Sequence, residues 1–285
     1  MNVFTTVAEL RKFLDANKSK SLGFVPTMGA LHAGHRSLVA RAVAENELTI
    51  ASIFVNPTQF NEESDLTSYP STPRQDYALL REAGCDLVFH PTVSEVYPKS
   101  GLPEPDYQPG YLAETLEGAH RPGHFAGVVQ VMHRLLDIVR PDRLYMGQKD
   151  YQQAAIIADM IRSLELPVEL RVCPTVREQD GLAMSSRNVR LSPDIRRRAV
   201  RLFNTLTKVR QTIDTLPPEA QERLALWQLA DADFRPEYFR IVDGATLRPL
   251  SEYSSTEHAV ACTAVWAGGV RLIDNMILKS PGPKI

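Results

Sequence analysis

The 285-residue sequence has few cysteines, no excess of charge of one sign and no long apolar run. Cys85, Cys173 and Cys262 are too few and too far apart for a disulfide framework or a metal-binding motif. The 32 Lys and Arg residues are balanced by 34 Asp and Glu residues, which argues against a protein that coats nucleic acid. No uncharged apolar stretch reaches the roughly 18 residues of a membrane span, and residues 1–20 lack the apolar core of a signal peptide. We therefore expect a globular, cytoplasmic protein whose partners include neither nucleic acid nor a membrane.

Several common site motifs are also missing, since the chain has no GxSxG elbow, no Walker A loop and no GxGxxG fingerprint. The first 176 residues contain instead an alternation of strand-like and helix-like segments. Strands are predicted at 22–25, 48–55, 86–90, 143–146 and 168–172, and helices at 5–18, 34–45, 73–83, 125–139 and 150–164. Strands that alternate with helices form βαβ units, so this part predicts an α/β fold with a parallel sheet.

The pattern changes near residue 176. A turn signal at 179–181 is followed by helices predicted from 193 to about 214 and after Pro217-Pro218. Short strands are then predicted at 238–242, 259–265 and 271–274. These segments predict a smaller C-terminal α+β domain behind a hinge at about 176–190, with domain limits of 1–176 and 177–285.

The first candidate site is the segment PTMGALHAGH, residues 26–35, where the first predicted strand leads into a helix. In open parallel sheets, ligands bind beyond the carboxyl ends of the strands. Free backbone N–H groups and the positive end of a helix dipole favour a phosphate there, and His32 and His35 are spaced to face one anion. The alternative is a glycine-containing turn with two surface or core histidines. The position between strand and helix favours the anion site.

Three further segments carry groups suited to a nucleotide or an acid. In GQKDYQQ (147–153), Lys149 suits a phosphate and Asp150 a ribose hydroxyl, although an N-cap beside a solvated lysine has the same pattern. In DGLAMSSRN (180–188), two hydroxyls and a guanidinium suit the β- and γ-phosphates, but taken alone this segment is better explained as a serine-rich turn. Gln59 follows the second predicted strand and suits hydroxyls and carboxylates.

These segments, together with SIFVNPTQF, RPGHFAGV and RLIDN, resemble the pantothenate synthetase (pantoate–β-alanine ligase) family over most of the chain. The HxGH and MSSR elements also resemble the HIGH and KMSKS signatures of the class I adenylate-forming and nucleotidyltransferase superfamily. The resemblance implies a Rossmann-like, doubly wound parallel sheet, a smaller C-terminal α+β lid domain and a homodimer. It also implies an ATP-dependent condensation of (R)-pantoate with β-alanine through pantoyl-adenylate, which releases AMP and pyrophosphate.

The same resemblance implies roles for individual residues. Gln59 and Gln153 would bind pantoate, with Gln59 also close to β-alanine; His35 would be the catalytic proton donor, and Arg121 would assist with anionic groups. No residue is assigned to a metal, and Mg²⁺ is expected to arrive on the nucleotide phosphates. Position 148 is Gln where the family usually has Glu. The residues implied to hold ATP are Met28, Gly29, Ala30, Leu31, His32, Ala33, Gly34, His35, Gly147, Gln148, Lys149, Asp150, Val176, Met184, Ser185, Ser186 and Arg187.

Two other functions fit the same nucleotide-binding motifs. A nucleotidyltransferase of this superfamily would leave the nucleotide joined to its product instead of releasing AMP. A non-catalytic nucleotide-binding module would bind ATP without turnover. A class I tRNA synthetase is disfavoured by the chain length, the mild acidity and the lack of a recognisable RNA-binding domain.

Overall fold

The computed structural model describes residues 1–60, 66–67, 69–98, 101 and 105–280. Within them, six parallel strands form one sheet in the order β1-β4-β3-β2-β5-β6. The chain changes its direction of winding between β2 and β5, and at such a switch point a crevice opens at the carboxyl edge of the sheet. The predicted α/β fold with a doubly wound parallel sheet is confirmed. The strands are β1 (Asn2–Phe4), β2 (Leu22–Thr27), β3 (Leu48–Ile53), β4 (Leu87–Phe89), β5 (Arg143–Gly147) and β6 (Glu169–Cys173).

Helices cover both faces of this sheet, which explains why β3 is buried along its whole length. They are α1 (Val7–Ala16), α2 (Ala33–Glu45), α3 (Pro73–Glu82), α4 (Val93–Val96), α5 (Glu117–His120), α6 (His124–Val139) and α7 (Tyr151–Ser163). In β2, Phe24 belongs to the core shared with α1, α6 and α7, whereas Val25 belongs to the core shared with α2 and α3. Strand β1 is absent from the sequence prediction because three residues are too few to show a period.

The C-terminal part has its own sheet and its own apolar core. Strands β7 (Phe234–Asp243), β8 (Ala259–Ala267) and β9 (Val270–Lys279) are antiparallel in that order, and helices α8 (Pro193–Arg198), α9 (Arg201–Gln211) and α10 (Pro218–Leu229) pack on them. The small α+β unit is therefore as predicted. The single helix predicted from 193 to about 214 is wrong, because the chain bends at Ala199 and Val200. The bend brings Ile195 of α8 and Leu202 of α9 into the same core.

The C-terminal sheet packs against α5 and α7 of the first part. Tyr238 of β7 shares an apolar cluster with Leu116 and Tyr151. Arg271 of β9 donates two hydrogen bonds to the Glu117 carboxylate at 2.6 and 2.8 Å. This packing brings β9 beside the loop that follows β5, so the second sheet forms a wall of the crevice. Among the residues described, no helix has the length and apolar character needed to cross a membrane.

Candidate active site

The crevice at the switch point contains two adjoining cavities of about 230 and 720 Å³. The smaller one lies beyond the carboxyl ends of β2, β3 and β5, and the larger one lies between the two sheets. Lys149, Asp150, Ser185 and Arg187 line both cavities, so the two form one continuous site. Together the two cavities are in the size range that accommodates small-molecule substrates.

Most residues predicted to bind ligands line the smaller cavity, although they come from five separate segments of the chain. They are Met28, His32, Gly34, His35, Gln59, Gly147, Lys149, Asp150, Gln153, Val176, Met184, Ser185, Ser186 and Arg187. Arg121 lines the larger cavity. The remaining predicted residues, Gly29, Ala30, Leu31, Ala33 and Gln148, are outside the lining of both cavities within the described part of the chain.

The turn between β2 and α2 has an unusual backbone path. Gly29 and Ala30 have φ angles of 83° and 50°, in the left-handed region that favours glycine. A Cβ at Gly29 would also lie 3.1 Å from a carboxylate oxygen of Asp76. Thr27 stabilises the entry to the turn, since its hydroxyl donates to the Ser52 carbonyl at 2.6 Å and accepts the Gly29 N–H at 3.2 Å.

Asp76 of α3 holds the middle of this turn and is missing from the sequence prediction. Its carboxylate is 2% exposed and accepts the N–H groups of Ala30 at 3.1 Å and Leu31 at 2.8 Å. The expectation that the backbone N–H groups of this turn are free for a phosphate is therefore wrong at both positions, because a buried carboxylate already occupies them. A signal for this role is present in the sequence, since Asp76 lies four residues before Leu80 and hence on the buried face of α3.

The two histidines at the start of α2 accept backbone hydrogen bonds through Nδ1. His32 Nδ1 accepts the Gly34 N–H at 3.1 Å, and His35 Nδ1 accepts the His32 N–H at 3.3 Å. A nitrogen that accepts carries no proton, so we assign the proton of each neutral ring to Nε2. Each ring therefore has an Nε2–H donor left for a ligand. The ring centroids are 4.2 Å apart, close enough for both donors to serve one anion.

Both histidines are neutral near pH 7. Burial, and then the proximity of His32 and of the Lys149 ammonium, lower the pKa of His35 to about 3. Burial and Lys149 also lower the pKa of His32, although Asp150 opposes this. The unliganded site thus contains hydrogen-bond donors at these two positions rather than imidazolium ions. A bound polyanion would raise both pKa values, because a nearby negative charge favours the protonated ring.

The loop after β5 places Lys149 and Asp150 at the border of the two cavities. This loop is a short 3-10 turn, Gln148–Asp150, directly before α7. The Lys149 side chain is 19% exposed, and its Nζ lies 3.9 Å from Asp150 Oδ1. The Gln148 side chain instead donates to Asn275 of β9 at 3.1 Å. This bond connects the loop to the C-terminal sheet.

The chain between β6 and α8 folds back on itself and brings Val176 beside Met184. The Met184 N–H donates to the Val176 carbonyl at 3.0 Å, and Ser185 Oγ accepts the Arg187 N–H at 3.2 Å. Gly181 at the tip has a φ of 97°, and a Cβ there would collide with the Phe203 ring. Ser185, Ser186 and Arg187 thereby line the smaller cavity together with the two histidines.

Gln59 is held by groups that the sequence prediction lacks. Asn56 is 1% exposed and donates to the Gly127 carbonyl at 3.1 Å and to Gln59 Oε1 at 3.4 Å. The His124 ring bonds through Nδ1 to the Gln59 carbonyl at 2.8 Å. Gly127 permits this close approach of α6, because a Cβ there would collide with the Thr58 carbonyl. The apolar wall beside Gln59 and Gln153 is formed by Phe54, Val128, Val131, Met132 and Leu135.

The fold and the site together define the class of protein: an α/β protein with a small-molecule crevice, lined by histidines and basic and hydroxyl side chains, at the switch point of a parallel sheet. A family model described as pantoate-beta-alanine ligase matches residues 2–277. The chain belongs to the pantoate–β-alanine ligase family, which confirms the resemblance drawn from its motifs and the prediction of a ligase.

Individual relatives agree with this assignment along their whole length. The pantothenate synthetase of Porphyromonas gingivalis (strain ATCC 33277) is 49% identical over 282 residues, 97% of this chain and 99% of the relative. The pantothenate synthetase of Bacteroides thetaiotaomicron is 46% identical over 282 residues, 98% of this chain and 99% of the relative.

Solved structures give the same result for the fold. The crystal structure of the Thermus thermophilus pantothenate synthetase superposes with a TM-score of 0.92 at 44% identity, covering 98% of this chain and 100% of that one. The pantoate-beta-alanine ligase of Francisella tularensis, complexed with beta-gamma ATP and beta-alanine, has a TM-score of 0.80 at 33% identity and 98% coverage of both chains.

Proposed function

We propose that this chain condenses (R)-pantoate with β-alanine in an ATP-dependent reaction that passes through pantoyl-adenylate and releases AMP and pyrophosphate. Family membership supports the overall reaction. The observation that carries the proposal furthest is the convergence of the histidine turn, Lys149 and the Met184–Arg187 loop on one cavity. An adenylating enzyme needs such a convergence, since cations and donors must meet the triphosphate from several sides.

The nucleotide occupies the border of the two cavities in this proposal. Lys149, Arg187 and the Nε2–H donors of His32 and His35 act on the phosphates, and Ser185 and Ser186 add hydroxyl donors. Asp150 accepts hydrogen bonds from the ribose. Asp76 occupies two N–H groups of the turn. Side chains therefore contribute more to phosphate binding here than they would at a helix N-terminus whose N–H groups are free. The remaining residues proposed to contact ATP are those of the β2–α2 turn together with Gly147, Gln148, Val176 and Met184.

Pantoate fits the amide-lined end of the smaller cavity. Its hydroxyls and carboxylate suit the neutral amides of Gln59 and Gln153, and its geminal methyl groups suit the wall that includes Met132 and Leu135. β-Alanine would approach next to Gln59. A neutral amide binds an acid without forming an ion pair, so it leaves the carboxylate oxygen nucleophilic.

The chemistry needs activation because an amine that attacks a carboxylate would have to expel oxide. In the first step a pantoate carboxylate oxygen bonds to the α-phosphorus, and the bond to the bridging oxygen of pyrophosphate breaks. In the second step the β-alanine amine attacks the acyl carbon, the C–O bond to AMP breaks, and the amine proton is released. Negative charge grows on the phosphates in the first step, and Lys149, Arg187 and His35 are the groups suited to stabilise it. His35 acts as a proton donor only if the bound triphosphate raises its pKa.

Mg²⁺ fits this site as an ion carried on the nucleotide. Among the described residues, no group of three or more His, Cys, Asp and Glu side chains forms a ready metal site. Asp150 is the carboxylate in the described lining of the smaller cavity, and its side chain is 53% exposed. Because Asp150 is assigned to the ribose, phosphate oxygens and water would hold the Mg²⁺, which would neutralise phosphate charge. The proposal also includes a homodimeric assembly and a cytoplasmic location. It further includes two domains, 1–176 and 177–285, of which the second acts as a lid.

The decisive experiment is pantoate-dependent exchange of labelled pyrophosphate into ATP in the absence of β-alanine. The proposal predicts exchange, and it predicts AMP as the nucleotide product once β-alanine is added. ADP and phosphate as stoichiometric products would exclude the adenylate. A nucleotide retained in the final product would favour a nucleotidyltransferase, and ATP binding without turnover would favour a binding module.

A further inference from the structure

Asn275 of β9 lies against the loop that carries Lys149, although it belongs to the C-terminal sheet. Its side chain is buried, with 2% of the residue exposed. Asn275 Nδ2 donates to the carbonyl oxygens of Gln148 and Lys149, both at 2.9 Å, and Oδ1 accepts from Gln148 Nε2 at 3.1 Å. One side-chain amide thus holds the two peptide groups that flank the Lys149 Cα.

The main chain of Asn275 is itself held in place by the ion pair of Arg177 with the buried Asp274. Arg177 donates to both carboxylate oxygens of Asp274, at 2.6 and 3.0 Å, and to the Asn275 carbonyl at 3.3 Å. One oxygen of Asp274 accepts the Asn275 N–H at 2.8 Å. In the sheet, Asn275 is paired with Cys262 of β8. Asn275 is therefore anchored through its main chain in the C-terminal sheet, whereas Lys149 lies in the loop that follows β5 of the parallel sheet.

We propose that Asn275 is a positioning residue for adenylation, which fixes the Lys149 main chain so that the ammonium group meets the phosphates. This inference rests on the proposed function. It adds that the position of the C-terminal sheet affects the position of Lys149 through the Asn275 side chain. An error of about 1 Å in the placement of such a group can cost on the order of a hundredfold in rate.

The chemistry of the contact requires an amide at position 275. Only an amide donates to two carbonyls through its nitrogen and accepts from Gln148 through its oxygen. An ionised Asp would retain the Gln148 bond, but it would present an oxygen to the two carbonyls. Conversely, a Leu at position 148 would remove the Gln148 bond and leave both carbonyl bonds intact. The two substitutions separate the two halves of the contact.

Single-turnover adenylation with enzyme in excess, and conversion of supplied pantoyl-adenylate to pantothenate, test the proposal. Asn275→Ala should slow adenylation on the order of tenfold to a hundredfold, leave the KM for ATP within a few-fold, and leave the second half-reaction near the wild-type rate. Asn275→Asp should show the same selective loss, and it replaces Asn275→Ala in the test if that variant does not fold. Gln148→Leu should lose less than either.

Tyr238→Phe is the matched control, because it removes a buried hydrogen bond between the same two parts of the molecule. Tyr238 donates to Glu117 at 2.7 Å and does not bond to the Lys149 loop. Both half-reactions of this variant should stay near the wild-type rate. If Asn275 acts through Lys149, Asn275→Ala should also add little to the adenylation defect of Lys149→Ala.

The results distinguish this inference from the proposed function. Wild-type enzyme that shows no pyrophosphate exchange would overturn the proposed function and this inference with it. Wild-type exchange together with normal adenylation in folded Asn275→Ala would overturn the positioning role alone. Equal slowing of both half-reactions, or full additivity with Lys149→Ala, would also overturn it, since either result indicates a general structural role.

Discussion

Asp76 provides the sharpest test of how the turn between β2 and α2 is built, because it holds the turn without lining either cavity of the crevice. Asp76→Asn retains the shape of the side chain but turns one carboxylate oxygen into an NH₂ group. Whichever way the amide points, the N–H of Ala30 or of Leu31 loses its acceptor and faces a donor. The other backbone bond loses its charged acceptor.

The magnitude follows from these two bonds, at 3.1 and 2.8 Å, in a site that is 2% exposed. A hydrogen bond to a charged group contributes about 1.5–3 kcal/mol, and a charge-assisted bond is roughly twice as strong as a neutral one. We therefore expect the free energy of unfolding to fall by about 2–4 kcal/mol. Ala30 is held at a φ of 50°, so relaxation of the turn should also displace the histidines and slow adenylation on the order of tenfold to a hundredfold.

The assay combines urea unfolding with pyrophosphate exchange. Asp86→Asn is the matched control, since the Asp86 carboxylate accepts the Thr49 N–H at 2.8 Å at the amino end of the strands, far from the crevice. That variant should lose less stability, since one backbone bond at a half-buried carboxylate is affected, and its exchange rate should stay normal. If folded Asp76→Asn exchanges pyrophosphate as fast as Asp86→Asn does, the turn does not depend on Asp76 and the reasoning is wrong.

Four further predictions concern the cavity itself. Lys149→Ala should slow adenylation by about 10²–10³ in kcat and spare the conversion of supplied pantoyl-adenylate; equal loss in both half-reactions would contradict the assigned role. Gln59→Ala and Gln153→Ala should each weaken pantoate binding in calorimetric titration by about 0.5–1.5 kcal/mol and leave ATP affinity within a few-fold. A loss of ATP affinity with unchanged pantoate affinity would refute the placement of these two amides. His35→Ala should lower kcat for exchange far more than ATP affinity, and His35→Gln should recover part of the loss if hydrogen bonding dominates over proton donation. Since the pKa of His35 is lowered from 6.5 to about 3 on folding, the unfolded chain binds more protons between these values, and stability should fall as pH drops through this window. The difference in unfolding free energy between wild type and His35→Gln should therefore change by up to about 1.4 kcal/mol per pH unit between pH 4 and 5.5. If the unfolding free energies of the two proteins instead change in parallel with pH, His35 is not buried as a neutral ring.

The sequence predicted the elements whose signals are local. The apolar run of β3, the apolar stripe of α6 and the strand-to-helix junctions before His32 and Lys149 all carry their information within a few residues. Those junctions lie at carboxyl ends of parallel strands, so the rule for parallel sheets was enough to bring the motifs to one edge.

The failures share a different physical origin, since each depends on contacts between distant segments. Asp76 meets Ala30 and Leu31 only because α3 packs behind the turn, and the pattern of α3 by itself gives no partner for a buried acid. Asn275 meets Lys149 only through the docking of the second sheet. The break at Ala199 and Val200 lets Ile195 and Leu202 pack into one core, and that packing is not visible in the local sequence.

The central claim is that the pantoate carboxylate bonds to the α-phosphorus of ATP before the amine attacks. Complete turnover with pantoate carrying ¹⁸O in both carboxylate oxygens, followed by mass spectrometry of the AMP, tests this claim most directly. Because the second step breaks the C–O bond of the adenylate, each AMP should contain one ¹⁸O atom. AMP without ¹⁸O would show that the carboxylate never joined the phosphorus, and it would contradict the account.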